Sequence, residues 1–269
     1  MTNDLETTMS KRIHTSRSWD PVADWYIGWV GAEGSEHHRK LAIPAALELL
    51  GDVQGQHILD IGCGTAALAR HVIRRGARYT GVDTSRRLLS FARRHNRSAC
   101  TFLHADATRL PAAQGPGAGA FDAAVFLLSI QDIEPLAAAV AGAAWAVRPG
   151  GRVVILMTHP CFRVPRQSGW GWDASRRLQY RRVDRYLTPL AVPMKTYGDR
   201  GHRSATRSHH RPLETYFNVL SDHGLNVCAV RELAAPEDPV GRARRPEERR
   251  ANAEIPLFLG IAAVKRSDV

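Results

Sequence analysis

Two glycines and a downstream carboxylate form the strongest chemical signal in the sequence. Gly62 and Gly64 follow the apolar run His57–Ile61 and come directly before a helical pattern. Glycine permits a tight turn that brings backbone amides against a ligand at the N-terminus of a helix. Asp83 ends the next apolar run, about 20 residues further on, where a carboxylate can accept hydrogen bonds from ribose hydroxyls. This spacing predicts a nucleoside-binding loop.

The charge before the loop discriminates between two nucleoside cofactors. Gly62, Gly64 and Ala67 also satisfy the looser G-x-G-x-x-A pattern of dinucleotide sites. In such a site Asp60 would lie near a doubly negative pyrophosphate, which is repulsive in a half-buried environment. The same carboxylate attracts the ammonium and sulfonium groups of S-adenosylmethionine (SAM). The comparison favours SAM and leaves an NAD(P)-dependent oxidoreductase as an alternative of another class.

Polar residues after two later strands are candidates for the reacting end of the site, because ligands of open α/β sheets bind beyond the carboxyl ends of the strands. His159 follows the predicted fifth strand, and its imidazole can act as a general base or satisfy the end of that strand. Gln131 and Asp132 follow the fourth strand. We expect Asp132 to cap a helix that begins near Glu134.

Aromatic and histidine side chains complete the candidate substrate site. We expect the acceptor to contact Tyr26, Gln131, His159, Trp170, Trp172 and His209. The two tryptophans suit a flat or apolar acceptor, and packing within their own segment explains them nearly as well. His209 has a histidine neighbour, which is also typical of a solvated loop.

Alternating strands and helices must position these residues. The predicted strands are His57–Ile61, Arg78–Val82, Thr101–His104, Phe121–Ile130, Arg152–Met157, Asn226–Arg231 and Ile255–Val264. The predicted helices between them are Thr65–Arg74, Arg86–His95, Leu136–Val147 and Leu213–His223. This alternation predicts an α/β fold with a doubly wound, mostly parallel seven-stranded sheet. The last strand is expected to be antiparallel, since only a loop, Ala234–Asn252, joins it to the strand before.

The same pattern divides the chain into segments. Residues 1–17 are expected to form a flexible tail, residues 18–50 a helical cap and residues 51–160 a SAM-binding core. Residues 161–211 interrupt the strand–helix alternation and are expected to fold as a lid over the substrate, with a hairpin around Gln179–Val192. Residues 212–269 complete the sheet.

Five motifs in order resemble those of the class I SAM-dependent methyltransferases, small-molecule type. They are D-I-G-C-G-T, G-V-D-T-S, H-A-D-A, F-D-A-A-V-F and R-P-G-G-R-V-V-I, and the resemblance extends from about Gly51 to Met157. Each motif alone is weak, whereas five in this order are specific. The resemblance implies that the cofactor is SAM.

The resemblance also implies roles for individual residues at the methionine end of SAM. Asp60, Gly62 and Gly64 would surround the methionine group, and Ser129 would approach the sulfonium. Ala66 replaces a glycine that many members have, which is expected to narrow this pocket.

For the nucleoside end, the resemblance assigns Asp83 to the ribose hydroxyls and Thr84 to the side of the adenine. Asp106 would accept the adenine amino group, and Ala107 would lie next to it. A surface turn explains the Asp106 carboxylate nearly as well.

Composition restricts the partners. The net charge of +11 comes almost entirely from arginines scattered along the chain, which argues against a nucleic-acid partner. The most apolar region, Leu136–Val147, is followed by Arg148 and Pro149, so no membrane span is expected. The four cysteines form no C-x-x-C pair, which argues against a metal site. We expect a cytoplasmic protein.

These observations together predict an enzyme that transfers a methyl group from SAM to a small-molecule acceptor, with O- or N-methylation favoured. An RNA methyltransferase and a SAM-binding protein without catalysis are the alternatives within the same fold. A homodimer is left open.

Overall fold

The computed structural model describes residues 19–96, 100–112, 117–194, 206–235 and 245–267. Its strands are β1 His57–Ile61, β2 Arg78–Asp83, β3 Cys100–His104, β4 Phe121–Leu127, β5 Val147–Thr158, β6 Ser168–Asp173, β7 Leu178–Val183, β8 Leu190–Pro193, β9 Arg207–His210, β10 Leu225–Leu233 and β11 Phe258–Lys265. Its α-helices are α1 Ala23–Val30, α2 Ile43–Leu50, α3 Ala69–Ile73, α4 Arg86–His95, α5 Leu136–Ala146, α6 Leu213–Asp222 and α7 Pro246–Glu254.

Seven strands form one mixed sheet in the order β10-β11-β5-β4-β1-β2-β3. Strands β1 to β5 are parallel where they pair. Strand β11 is antiparallel to both β5 and β10. The predicted fold class is therefore confirmed, and the carboxyl ends of β1, β2 and β4 meet at one edge of the sheet.

Helices cover both faces of the sheet, which explains why its central strands are continuous apolar runs. Side chains alternate between the faces along β1. Leu59 and Ile61 pack with Phe126 in one buried cluster, which includes α5 and α6. Ile58 packs with Leu68 in the other cluster, which includes α2 and α3. The two clusters fix the strand ends that carry the site.

Two element boundaries differ from the predictions because of left-handed backbone at non-glycine residues. The predicted helix Thr65–Arg74 is α-helical only in α3, since Ala66 has a φ of 60°. The predicted strand Phe121–Ile130 ends at Leu127, because Leu128 has a φ of 56°. Neither conformation can continue the regular element.

The predicted hairpin around Gln179–Val192 is wrong. Strand β6 pairs with β7, and β8 pairs with β9, so two small antiparallel sheets replace it. Gly171 permits the first pairing, because a Cβ atom there would lie 2.3 Å from the ring of Tyr180. The link between β10 and β11 contains α7 where the sequence predicts only a loop.

The residues expected to form a flexible tail, 1–17, lie outside the described residues. In the part of the chain that the structure describes, no helix is both long enough and apolar enough to cross a membrane. The proposed segment boundaries stay predictions.

Candidate active site

A cavity of about 320 Å³ opens at the carboxyl ends of β1, β2 and β4. Most of the residues predicted to bind the cofactor or the acceptor line it, namely Tyr26, Gly62, Gly64, Asp83, Thr84, Asp106, Ala107, Ser129 and His209. Asp60, Gln131, His159, Trp170 and Trp172 do not line it. The fold therefore brings the glycine loop, the ribose-binding candidate and part of the predicted acceptor site into one space.

The glycine loop is shaped by close approach of its neighbours. The amides of Gly62 and Cys63 donate to the carbonyl of Val82 at 2.8 and 3.0 Å, which ties the loop to the end of β2. Gly62 has a φ of 72°, and a Cβ atom there would lie 2.7 Å from Cβ of Ser129. A Cβ atom on Gly64 would lie 3.1 Å from the ring of Tyr26. Both positions therefore require glycine.

Asp83 holds this loop directly, a contact that the sequence analysis did not foresee. Its Oδ2 atom accepts a 2.8 Å hydrogen bond from the amide of Gly64, and its Oδ1 atom accepts one of 2.8 Å from Ser85. A carboxylate can accept about four hydrogen bonds, so acceptor capacity remains for a ligand. Burial raises the pKa of Asp83, and the amide donors oppose that shift.

Asp60 lies beneath the loop, buried rather than on the cavity wall. The hydroxyl of Tyr79 donates to its Oδ2 atom at 2.7 Å, while its buried Oδ1 atom has no hydrogen-bond partner among the described residues. Burial raises the pKa of Asp60 to about 7, the Tyr79 hydrogen bond opposes this, and the charge of Asp83 adds to it.

Helix α1 covers the cavity through Tyr26. Burial foremost, then the negative charges of Asp83, Asp132 and Asp60, raise the pKa of this phenol, so it is neutral at physiological pH. The ring of Trp19 packs edge-on against it, with ring centroids 5.4 Å apart. The charges of three carboxylates thus act on one phenol that lines the cavity.

The side chains of Ser85 and Arg87 connect α1 and the residues just before it to α4. The hydroxyl of Ser85 donates to Asp20 Oδ1 at 2.5 Å and itself caps α4 by accepting from the amide of Leu88 at 3.1 Å. Arg87 pairs with Asp24 on α1 at 2.5 Å. The N-terminal helix is therefore held next to the end of β2.

The predicted adenine side is a turn that follows β3. Asp106 Oδ1 accepts from the amide of Thr108 at 2.8 Å and from its hydroxyl at 2.7 Å. The carboxylate thereby fixes a short 3₁₀ segment, Ala107–Ala112, whose first residues line the cavity. Asp106 has the turn role that the sequence allowed, and it lies on the cavity wall as well.

The segment after β4 forms the other end of the cavity. Ser129 Oγ donates to the carbonyl of Ile61 at 2.6 Å, which joins the end of β4 to the end of β1. Gln131 turns away, since its Nε2 donates to the carbonyl of Leu128 at 2.5 Å, and it lines a separate small cavity. Ser129 thus lies against the glycine loop, and Gln131 does not.

The expected helix cap at Asp132 is wrong. Helix α5 begins after Pro135 with no side-chain cap, and the Asp132 carboxylate forms a hydrogen bond with Ser208 instead. Asp132 lines the main cavity. Burial raises its pKa to about 7, and Ser208 and Arg211 oppose the shift.

Strand β9 closes the cavity from the opposite side to α1. Its residues Arg207 and His209 line the cavity together with Glu134. The Arg211 guanidinium, which is buried, donates to the carbonyl of Ile133 at 2.7 Å and pairs with Glu134. Sequence reasoning assigned Asp132 to a helix cap and missed Glu134 and Arg207, because only the long-range packing of β9 brings these residues together.

His159 lies apart from both cavities and is fully engaged within the protein. Its Nε2 atom lies 2.8 Å from Oε1 of Glu232, and its Nδ1 atom accepts from the amide of Cys161 at 3.2 Å. The side chain is 1% exposed, and burial lowers its pKa while Glu232 opposes that shift. This geometry fits the end of a strand, and its role as a base stays a prediction.

The two tryptophans lie on the β6–β7 hairpin, outside the cavity. The guanidinium groups of Arg163 and Arg181 lie 5.4 and 5.3 Å from the ring of Trp170. That of Arg245 lies 5.3 Å from the ring of Trp172. Cation–π contacts therefore engage both rings, that of Trp170 within its own segment and that of Trp172 with the start of α7.

Comparisons with known proteins agree with this architecture. Residues 59–155 match a family model described as a methyltransferase domain. The crystal structure of a SAM-dependent methyltransferase from Mesorhizobium loti is similar, with a TM-score of 0.68 and 27% identity, and the match covers 87% of this chain and 100% of that one.

Curated relatives match over shorter stretches. The demethylmenaquinone methyltransferase of Tropheryma whipplei is 36% identical over 118 residues, which cover 43% of this chain and 48% of that protein. The ubiquinone biosynthesis O-methyltransferase of Alkalilimnicola ehrlichii is 29% identical over 167 residues, which cover 57% of this chain and 64% of that protein. The chain thus spans less than two thirds of the length of these relatives.

The residues of the cavity fit the cofactor of that family. Two glycines leave a cradle that a Cβ atom would fill, and beneath it lies a buried carboxylate oxygen of Asp60 that has no hydrogen-bond partner in the described part of the chain. This combination suits a cationic nucleoside. By its sheet order, by its motifs and by the matching methyltransferase domain at residues 59–155, the chain is similar to the class I SAM-dependent methyltransferases.

Proposed function

We propose that this chain binds SAM in the cavity and transfers its methyl group to a small-molecule acceptor. The observation that carries the proposal is the continuity of the cavity, in which the glycine loop and Asp83 share one space with Ser129, Asp132 and His209. SAM supplies an electrophilic methyl group on its sulfonium. The protein has to align the acceptor with that group and exclude water.

The residues would divide the work as follows. The backbone at Gly62 and Gly64 would receive the methionine end, and the buried negative charge of Asp60 would attract its ammonium group. Asp83 would accept hydrogen bonds from the ribose. Thr84, Asp106 and Ala107 would contact the adenine, and Ser129 would approach the sulfonium; these residues line the cavity.

The lining of the cavity supports a small acceptor over RNA. Asp83, Asp106, Asp132 and Glu134 contribute four carboxylates, against one arginine, Arg207. Such a lining repels a phosphate backbone. Helix α1 and strand β9 cover the two sides, which limits the size of what can enter. The names of two relatives, a demethylmenaquinone methyltransferase and a ubiquinone biosynthesis O-methyltransferase, support the same choice of a small acceptor.

Two measurements test the proposal. Calorimetry with SAM, with its demethylated product and with NAD should show binding of the first two and none of NAD, whereas binding of NAD alone would point to an oxidoreductase. Mass spectrometry of a small-molecule extract incubated with the protein and methyl-labelled SAM should then show one labelled product. Tight SAM binding without any labelled product would favour the alternative of a binding protein without catalysis.

The cytoplasmic location is part of the same proposal. A homodimer stays a prediction, which light scattering on the purified protein can check.

A further inference from the structure

Asp132 occupies the acceptor end of the cavity on a rigid support. It ends a short 3₁₀ turn, Ile130–Asp132, and its amide donates to the carbonyl of Ser129 at 2.9 Å. Ser129 in turn is bonded to Ile61, directly before the glycine loop. The carboxylate is therefore held at a fixed place relative to the loop.

The carboxylate has unused hydrogen-bonding capacity. Its Oδ1 atom is buried and has no hydrogen-bond partner among the described residues, while the carboxylate interacts with Ser208 of β9. A buried acceptor without a donor destabilises the folded state, so proteins rarely leave one without a reason. The missing helix cap removes the structural role that the sequence predicted for Asp132.

Several charged or titratable side chains act on this group. Arg211 opposes the increase in the pKa of Asp132. Its Nη2 atom donates to Ile133 and Glu134, and its buried Nη1 atom has no hydrogen-bond partner within the described ranges. The charge of Asp132 acts on Tyr26 and Tyr216, and the remaining charged or titratable groups that line the same cavity are Asp83, Asp106, Glu134, Arg207 and His209. Most of them are acids or neutral phenols, so burial dominates and the pKa of Asp132 lies at about 7.

We propose that Asp132 is the general base of the methyl transfer and that the acceptor is a hydroxyl compound. This inference rests on the proposed function. An oxygen lone pair of the acceptor forms the new C–O bond, and the C–S bond breaks with its electrons on sulfur. The acceptor proton moves to the Asp132 carboxylate. The products are a methyl ether, S-adenosylhomocysteine with a neutral sulfur, and a protonated Asp132.

The chemistry of the neighbours favours a hydroxyl over an amine. A neutral amine needs no base before it attacks, whereas a phenol or an enol gains from a base with a pKa near the working pH. Tyr26 is a neutral phenol beside the same carboxylate and can orient an oxygen acceptor by hydrogen bonding. The carboxylate and the phenol together form a site for a polar O–H group.

The first experiment identifies the product and compares Asp132→Asn with the wild type. Methyl-labelled SAM and a small-molecule extract of the source cells serve as probes. The expected product is an O-methyl compound, and Asp132→Asn should lower kcat by about 10²–10⁴-fold while the Kd for SAM changes less than about threefold. As a control, Asp184→Asn removes an exposed carboxylate, which pairs with Arg182, and should leave both values unchanged.

A pH profile separates a base from a merely structural group. In the wild type, kcat should rise with pH to a plateau, and Asp132→Asn should lose this dependence. Ser208→Ala removes a hydrogen bond that lowers the pKa of Asp132, so the rising limb should move to higher pH while the plateau is retained. A structural role for Asp132 would not move that limb.

The outcomes distinguish this inference from the proposed function. A wild type that binds no SAM or yields no labelled product overturns both. A labelled amine or C-methyl product, or a folded Asp132→Asn variant with wild-type kcat at every pH, overturns only the role of Asp132. Unfolding by urea at pH 8 verifies that the variant is folded, and since the buried charge is removed, its stability should not decrease.

Discussion

The Oδ2 atom of Asp83 accepts a 2.8 Å hydrogen bond from the amide of Gly64, so the end of β2 holds the loop that follows β1. A residue expected to bind ribose thus also maintains the backbone that would receive the rest of the nucleoside. Removing the side chain of Asp83 affects both the expected ribose contact and the support of the loop. Measuring SAM affinity and folding stability separately distinguishes the two effects.

Asp83→Ala should weaken SAM binding by about 1.5–3 kcal/mol, because hydrogen bonds of a charged group are lost and the loop is released. The protein should stay folded, with a measurable loss of stability, since the amides of Gly64 and Ser85 lose their acceptor. Calorimetry gives the affinity and urea unfolding gives the stability. Unchanged SAM affinity in a folded Asp83→Ala protein would remove the ribose assignment.

Gly62→Ala should abolish SAM binding, because its Cβ atom would meet Ser129 at 2.7 Å and displace the loop. Gly55→Ala is a matched control, since Gly55 has a nearly equal φ of 73° and nothing lies within 4 Å of an added Cβ atom. Both variants should lose about 1–3 kcal/mol of stability through backbone strain. Equal SAM affinity in the two proteins would show that the loop does not receive the cofactor.

The contribution of Asp60 to the unfolding free energy of the ligand-free protein should fall as pH rises between about 4 and 7. Burial raises the pKa of Asp60 to about 7 in the folded state, so the folded protein keeps a proton that the unfolded chain releases. Asp132 contributes with the same sign. Asp60→Asn should therefore remove a decrease in the unfolding free energy of up to about 1.4 kcal/mol per pH unit, as measured by urea unfolding.

Tyr79→Phe provides the companion measurement. It removes the hydroxyl that donates to Asp60, and that hydrogen bond lowers the pKa of the carboxyl. The loss of stability should be about 1–3 kcal/mol and larger at pH 8 than at pH 5, since the ionised carboxylate needs the donor more. A loss independent of pH would mean that Asp60 does not titrate in this range.

His159→Gln should reduce stability by about 1–3 kcal/mol and change turnover per folded molecule only a few-fold, because the ring is buried between Glu232 and Cys161. Burial lowers the pKa of His159 in the folded state, so its contribution is complete at high pH and decreases as pH falls below the unfolded value of about 6.5. Unfolding curves at pH 8 and pH 5.5 measure this difference.

Glu232→Gln is the control for that prediction, since it removes the charge that faces His159 and leaves the ring in place. If His159→Gln instead keeps its stability and loses turnover by about 10²–10⁴-fold on a hydroxyl acceptor, the ring acts as a base and the assignment to Asp132 must be revised.

The elements that were predicted correctly are those whose pattern lies within a short stretch of the sequence. The bounds of β1 were predicted as observed, because Ile58, Leu59 and Ile61 are apolar and buried and Gly62 ends the strand. The antiparallel β11 was expected for a wrong reason, since α7 lies in the link that was predicted to be a loop. The antiparallel direction of β11 therefore does not depend on the absence of a helix from that link.

The acceptor side could not be predicted, because its contacts join residues far apart in the chain. From the sequence alone, Asp132 resembles a helix cap. In the structure its carboxylate forms a hydrogen bond with Ser208 of the four-residue strand β9. His159 reads as a base until Glu232 of β10 is placed against its ring. In both cases the partner is a polar residue without a periodic pattern of its own.

Strands β8 and β9, as far as the structure describes the chain, pair with each other and not with the seven-stranded sheet. The hairpin can therefore change in sequence or length without shifting the register of any strand that holds the glycine loop. Its last strand nevertheless supplies Arg207 and His209 to the cavity and Ser208 to Asp132. We therefore expect that replacing β8 and β9 with those of a related methyltransferase transfers its preference for an acceptor. The residues predicted to bind the nucleoside should stay unchanged.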